Sequence, residues 1–463
     1  MATFHFRRCY LLIALIIAIP ASCLFAQQHL SLQNLIDTAR KNLPLLQQKQ
    51  AFINASKASI TDIKHSFLPQ VKFSDQLNMG SDNSIAGSYL PLGITPSTSA
   101  GVRSDNNFQP ATGNIGVLYS EYELANFGLN SARLSNAQTL VNFSEADLER
   151  EAYLLELNIA KLYLNIQKEQ YRLNADGQNI ERYQSIFNVI RALTLSGLKA
   201  GSDSSLAKAE LSKTRISYNQ TLGSINQLKQ QLAYLTGISA NHLTIDTLAN
   251  NAFISQPNNT SVSIDTVNNP LIDYYAKKKA IYVSNDLLIK KSYLPKIILA
   301  GSTWARGSSI QYNDQYKSLV TGLGYQRFNY AVGVAVTYNL FNNLYKKDKL
   351  AINRYQTQAS DFELQQQKLA INSLSLQADN ALQTTQANLQ ELPIQLQSAQ
   401  ATFAQKTAQY KAGLISLIDL TNASFVLYRS QTDYIETLSD WYLAQLDKAA
   451  ATGNLNQFIQ TIK

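Results

Sequence analysis

Asn329-Tyr330-Ala331-Val332-Gly333-Val334-Ala335-Val336-Thr337-Tyr338-Asn339-Leu340 alternates strictly between two kinds of residue. Val332, Val334, Val336, Tyr338 and Leu340 take one side, and Ala331, Gly333, Ala335, Thr337 and Asn339 take the other. A period of two is the mark of a strand, here with one greasy face and one small, polar face. A half-buried strand of an ordinary sandwich gives this pattern. So does a barrel strand whose greasy face meets lipid. Periodicity leaves both readings open.

Working outward, residues 296–304 read as a second strand behind Leu294-Pro295, with a loop over 305–328 between the two. A helical run over 341–412 follows, then a return helix over 417–451. The same order occurs earlier in the chain. Leu68-Pro69 and Asn42-Leu43-Pro44 lie 226 residues before Leu294-Pro295 and Asn268-Asn269-Pro270. Gly197-Leu198, with Asp203 and Ala207 behind it, lies 216 residues before Gly413-Leu414, Asp419 and Ala423. Gly237 and Gly453 close the two copies, each 40 residues after its marker glycine. Such self-similarity predicts two structural repeats, 27–240 and 265–463, joined by a linker over 241–264. The first repeat has strands at 70–79 and 114–122, separated by a Ser-, Gly-, Pro- and Asn-rich loop, and helices at 124–196 and 203–235. A helix over 30–66, capped by Ser31, precedes them.

The helices are long. Residues 124–196 make 73 residues, about 110 Å at 1.5 Å per residue. Leu148, Leu155 and Leu162 repeat every seven, with Ala152, Ile159 and Ile166 beside them, which is coiled-coil spacing. Ile225, Leu228, Leu232 and Leu235 keep a three-and-four spacing in the first return helix. Gly177 and Pro393 interrupt the two longest runs and predict a kink or a break in each.

Arg7 and Arg8 precede an apolar run from Leu11 to Pro20 and then small residues, the layout of a secretory signal over 1–26 with cleavage after Ala26. The alternative is lipidation of Cys23, for which Pro20-Ala21-Ser22 is a poor lead-in. In either case Cys9 is lost and no intramolecular disulfide remains available. The formal charge of +8 falls to +6 without the leader, and the Lys and Arg residues are scattered rather than clustered among aromatics. Nucleic-acid binding is therefore not expected. His5, His29, His65 and His242 have no metal-ligand spacing, and no phosphate loop or nucleophile elbow is present. These features point away from an enzyme and from any cofactor. Tyr89, Tyr119, Trp304, Tyr325 and Tyr338 lie near strand ends, where an interfacial aromatic belt would sit.

Four strands cannot close a barrel, and lipid forbids an open sheet edge. If the strands cross a membrane, several chains must pool them. Three chains give twelve strands and room for a channel, whereas eight strands leave an interior that side chains fill. The competing reading is a structural or adhesive periplasmic coiled coil with a small sheet and no pore.

The duplicated Asn-x-Pro or Asn-Pro start and the Leu-Pro before each first strand form an ordered, repeated set. Phe127-Gly128 and Phe341-Asn342 then lead into the long helices, and each copy has Gly-Leu followed by Asp six residues after the Gly. In this the chain resembles the TolC-like outer-membrane efflux proteins over nearly all of its mature length. The resemblance implies a homotrimer whose twelve-stranded membrane β-barrel, four strands per chain, is continuous with a coiled-coil α-helical tunnel in the periplasm. It implies outer-membrane lipid, a periplasmic adaptor (membrane fusion) protein and an inner-membrane transporter of the resistance–nodulation–division (RND) or ABC type as partners, with the chain as a passive exit duct. It also makes Gly197 and Gly413 the tip turns and Asp419 and Asn422 the gate positions, Asn422 standing where some members carry a second aspartate. Tyr410 and Asp203 match a tethering pair, while Ile415 stands where the family places an arginine. Read without the resemblance, Asp203 and Asp419 suit helix N-terminal caps, and the two roles can coexist.

Overall fold

A computed structural model describes residues 31–85, 101–243, 245 and 269–462. The leader, Cys23, Tyr89 and most of the 241–264 linker lie outside the described residues. In chain order the elements are helices α1 (Leu32–Asn42) and α2 (Pro44–His65) and strands β1 (Gln70–Gly80), β2 (Ser84–Ile85), β3 (Gly101–Val102) and β4 (Ala111–Ala125). Helices α3 (Leu129–Leu195), α4 (Gly201–Thr236) and α5 (Pro270–Ser292) follow, then β5 (Lys296–Ser308) and β6 (Arg327–Thr337). The chain ends in α6 (Asn342–Lys411), α7 (Leu417–Thr452) and α8 (Leu455–Thr461).

Two local expectations change. The single helix expected over 30–66 is broken at Leu43, whose ψ of 117° is extended. Pro44 forces this, because its ring disfavours the helical region for the residue before it while suiting the first position of the next helix. Conversely, α3 runs through Gly177 and α6 through Pro393 without a break. Pro393 removes one backbone bond, yet Leu392 and Ala399 beside it are buried, so packing holds the helix where local propensity would interrupt it.

The chain forms two compact units. The first contains residues of 1–50, 146–274 and 365–463, and its described residues pack mainly as helices. Of the expected seam, Ala152, Leu155, Ile159, Leu162 and Ile166 are buried and Leu148 is half-buried against them. Leu32, Leu35, Ile36 and Ala39 of α1 pack into the same core as Leu232 of α4, Leu446 of α7 and Leu455, Phe458 and Ile459 of α8. A second cluster gathers Tyr183, Ile186 and Ile190 of α3 with Ala207 and Leu211 of α4, Tyr410 of α6 and Leu417 and Leu420 of α7.

The second unit holds residues 51–145 and 275–364. Its centre is an antiparallel sheet in the order β1-β4-β5-β6, two hairpins joined through β4 and β5. β4 and β5 run longer than the alternating patterns, to Ala125 and Ser308, because paired backbone continues past the greasy residues. β6 instead ends with its pairing at Thr337, so Tyr338 and Leu340 of the strand expected over 329–340 lie beyond it. Register places Phe73, Leu118, Thr303 and Tyr330 in one row, and Val71, Ser120, Gly301 and Val332 in another row of the same face. The opposite face carries Lys72, Tyr119, Ser302 and Ala331, then Gln70, Glu121, Ala300 and Gly333. Ile115, Val117 and Tyr119, which alternate in sequence like the valines of β6, thus lie on the face opposite those valines.

Candidate functional site at the helical turns

Two helical reversals in the first unit carry the expected site residues. At the first, Gly197 takes φ +75°, its N–H bonds the Thr194 carbonyl at 3.1 Å, and the Leu198 N–H bonds the Leu193 carbonyl at 2.9 Å. At the second, Gly413 takes φ +73°, with the same pair of bonds from Gly413 to Tyr410 and from Leu414 to Gln409, both 3.0 Å. This nested pair is a Schellman ending, and its left-handed residue is the reason for glycine at both turns. Leu195, Leu198, Leu414 and Ile418 around the turns are exposed.

The two acids behind the turns differ. Asp419 closes a capping box: the Ser416 hydroxyl accepts from the Asp419 N–H at 3.2 Å, while Asp419 Oδ2 accepts from the Ser416 N–H at 3.1 Å and from its hydroxyl at 2.6 Å. Those bonds from Ser416 hold the Asp419 carboxyl below its ordinary range. Asp203 sits in the first turn of α4, but the cap there is Ala200, which makes no side-chain bond. Asn422 is exposed one turn beyond Asp419.

Tyr410 is buried, and its hydroxyl has no hydrogen-bond partner among the described residues. Lys199 lies over its ring, 5.7 Å from the centroid. Burial chiefly, and then the nearby Asp203 charge, push the Tyr410 phenol upward. Tyr410 and Asp203 are therefore neighbours that do not bond within one chain.

Sequence reasoning missed one group on the same helices. Asp176 of α3 is 1% exposed and takes hydroxyl donors from α4 and α7. Continuing the seven-residue repeat of Leu148, Leu155 and Leu162 lands on Asp176, so an acid at a seam position was the available signal. Among the described residues no cluster of His, Cys, Asp or Glu is placed to hold a metal, and no helix is long and apolar enough to cross a membrane.

Residues 35–238 match the family described as outer membrane efflux protein. That stretch is less than half of the chain. No curated protein matches. Solved outer-membrane proteins share the fold of this chain. VceC from Vibrio cholerae aligns with a TM-score of 0.70 and 16% identity, covering 91% of this chain and 96% of its own. CusC, described in terms of folding and transmembrane channel formation, gives 0.73 and 15%, covering 91% and 92%. The Campylobacter jejuni CmeC outer membrane channel gives 0.71 and 16%, covering 93% and 90%. With its helices and open four-stranded sheet, this chain shares the fold of one protomer of these proteins.

Proposed function

We propose that three copies of this chain pool their sheets into a twelve-stranded outer-membrane barrel continued by a periplasmic helical tunnel. The assembly is the passive exit duct of a tripartite efflux or type I secretion system. A periplasmic adaptor and an inner-membrane RND or ABC transporter deliver the cargo, and the transporter supplies the energy.

One observation carries this reading: β1 and β6 are both unpaired edges, and both are exposed along their whole length. Phe73 is 73% and Tyr330 82% exposed, on the face that also carries Val332, Val334 and Val336. A long, greasy, open edge is an aggregation hazard in water and is not tolerated in lipid. Pairing β6 of one copy with β1 of the next satisfies every edge at once and turns the greasy face to lipid. The face with Lys72, Glu121 and Gly333 then lines the water.

The duplication over 27–240 and 265–463 gives each copy two strands and two long helices, so three chains build a pseudo-sixfold wall. In that wall Gly197 and Gly413 are the entrance turns, and Asp419 with Asn422 forms the constriction. Tyr410 and Asp203, neighbours in one chain, are the tethering pair beside these turns, the buried Tyr410 hydroxyl having no partner among the described residues. The oligomer tests the reading: in mild detergent it should have about three times the 51.5 kDa mass of the precursor chain, less the leaders, and collapse to monomer on heating. A monomer at all temperatures would favour the poreless coiled coil.

A further inference from the structure

The carboxylate of Asp176, on α3, sits in the helical unit with three hydroxyls around it and, among the described residues, no cation bonded to it. Tyr428 of α7 donates to Oδ1 at 2.5 Å. Thr221 of α4 donates to Oδ2 at 2.7 Å, and Ser217, one turn earlier on α4, lies 3.3 Å from Oδ1. A buried carboxylate held by hydroxyls alone is a costly feature, and it persists only while its acceptor sites are filled.

The contacts are unequally divided. Two donors come from α4, the helix joined to α3 by the Gly197 turn. A single donor, Tyr428, comes from α7. Elsewhere along this part of α7 the bonds from α3 to it are longer: Tyr183 to the Thr421 carbonyl at 3.4 Å, Arg182 to Gln431 at 3.1 Å, and Arg172 to Glu436 at 3.6 Å. The Tyr428–Asp176 bond is the short, charge-assisted one among them. If α7 leaves, Asp176 keeps Thr221 and Ser217, so the α3–α4 pair survives intact. Tyr428 thus makes the one short bond to Asp176 from α7, beside the longer bonds just named and a 3.4 Å contact between its hydroxyl and Ser217.

We propose that Asp176, acting through the Tyr428 hydroxyl, is the positioning residue that holds α7 and hence the Asp419 entrance in the closed arrangement. This rests on the channel reading above. Tyr428 lies nine residues beyond Asp419 on the same helix, about 13 Å along its axis, so release at Tyr428 frees the segment that carries the constriction. Burial, followed by the bond to Asp176, raises the Tyr428 phenol, in keeping with a neutral hydroxyl that donates.

The test is planar-bilayer recording of the full-length oligomer with Tyr428→Phe, Asp176→Ala and the pair together. Each single change should raise the open-state fraction by about tenfold, the equivalent of one lost charged hydrogen bond. The double variant should go no further than the singles, because both remove the same contact. Thr221→Val is the control: it strips the same carboxylate on the α4 side, and it should lower heat stability while leaving the open fraction at the wild-type level. A wild-type open fraction in Tyr428→Phe would overturn the proposal, as would Thr221→Val opening the channel equally. A wild type that never conducts sinks the channel reading itself, and the latch with it.

Discussion

The side-chain amide of Asn42 donates to the carbonyl of Thr236, 194 residues later, at 3.0 Å. Thr236 is the last residue of α4 before the left-handed Gly237, so Asn42 closes the free end of the return helix of its own repeat. Asn269 does the same for α7, donating to the carbonyls of Ala450 at 3.0 Å and Ala451 at 3.1 Å while its own oxygen accepts from the Leu271 N–H at 2.9 Å. The Asn-before-Pro signature is thus a cap that ties each repeat's beginning to its end.

The two caps differ in burial, and their substitutions should differ accordingly. Asn269 is 0% exposed, so Asn269→Ala strands buried carbonyls and should cost about 1–3 kcal/mol. Asn42→Ala leaves the Thr236 carbonyl closer to water and should cost about 0.5–1.5 kcal/mol. Chemical denaturation of the two variants against wild type checks the order.

Glycines on the greasy sheet face should also rank. A side chain at Gly307 would meet the Gly324 carbonyl oxygen at 1.9 Å, a backbone clash with no easy escape. At Gly116 it would meet only the Tyr325 side chain, the hydroxyl at 2.5 Å and the ring from 3.0 Å, and that side chain can swing aside. Gly307→Ala should lose about 1–3 kcal/mol and Gly116→Ala clearly less. Heat dissociation of the two variants reports the difference, and equal losses would contradict this packing.

Glu156 is buried and bonded to Arg40, yet desolvation outweighs that partner and leaves its carboxyl raised. The folded state then binds the proton more tightly than the unfolded state, so this group's contribution is present at low pH and is lost as pH rises from the unfolded carboxylate value through the raised folded one. Glu156→Gln should therefore stabilise the protein relative to wild type near pH 8, with the advantage shrinking below about pH 4.3, the unfolded value. Thermal melts across that range give the answer.

Asp419 has the opposite sign. Its carboxyl is held low by Ser416, so the stability it adds is present above the unfolded carboxylate value and vanishes as pH falls through the lowered one. Ser416→Ala removes the box and keeps the carboxylate, so it should lower heat stability at neutral pH and leave divalent-cation block intact. Asp419→Ala should abolish both. Cation block that survives Asp419→Ala would leave Asp419 as a cap alone.

What could be read in the sequence was what backbone geometry demands locally. Gly197 and Gly413 were legible because a left-handed turn excludes most other residues, and the strands of β5 and β6 because one side is apolar. Pro44 ended a helix as its ring dictates, but Pro393 did not, since buried neighbours on α6 override propensity. The face of Ile115, Val117 and Tyr119 was not legible: Gly116 is small on the greasy side because Tyr325 lies across it, a contact made by a residue 209 positions away. The capping of Asp419 followed from its place after a turn. The Tyr428–Asp176 bond spans 252 residues, and only the helical packing brings its partners together.

The most direct measurement is the conductance of the purified, heat-labile oligomer in a planar lipid bilayer. Pooled sheets predict discrete, reproducible channel steps that disappear when the oligomer is heated to monomer before insertion. An intact oligomer that adds no steps would contradict the shared barrel.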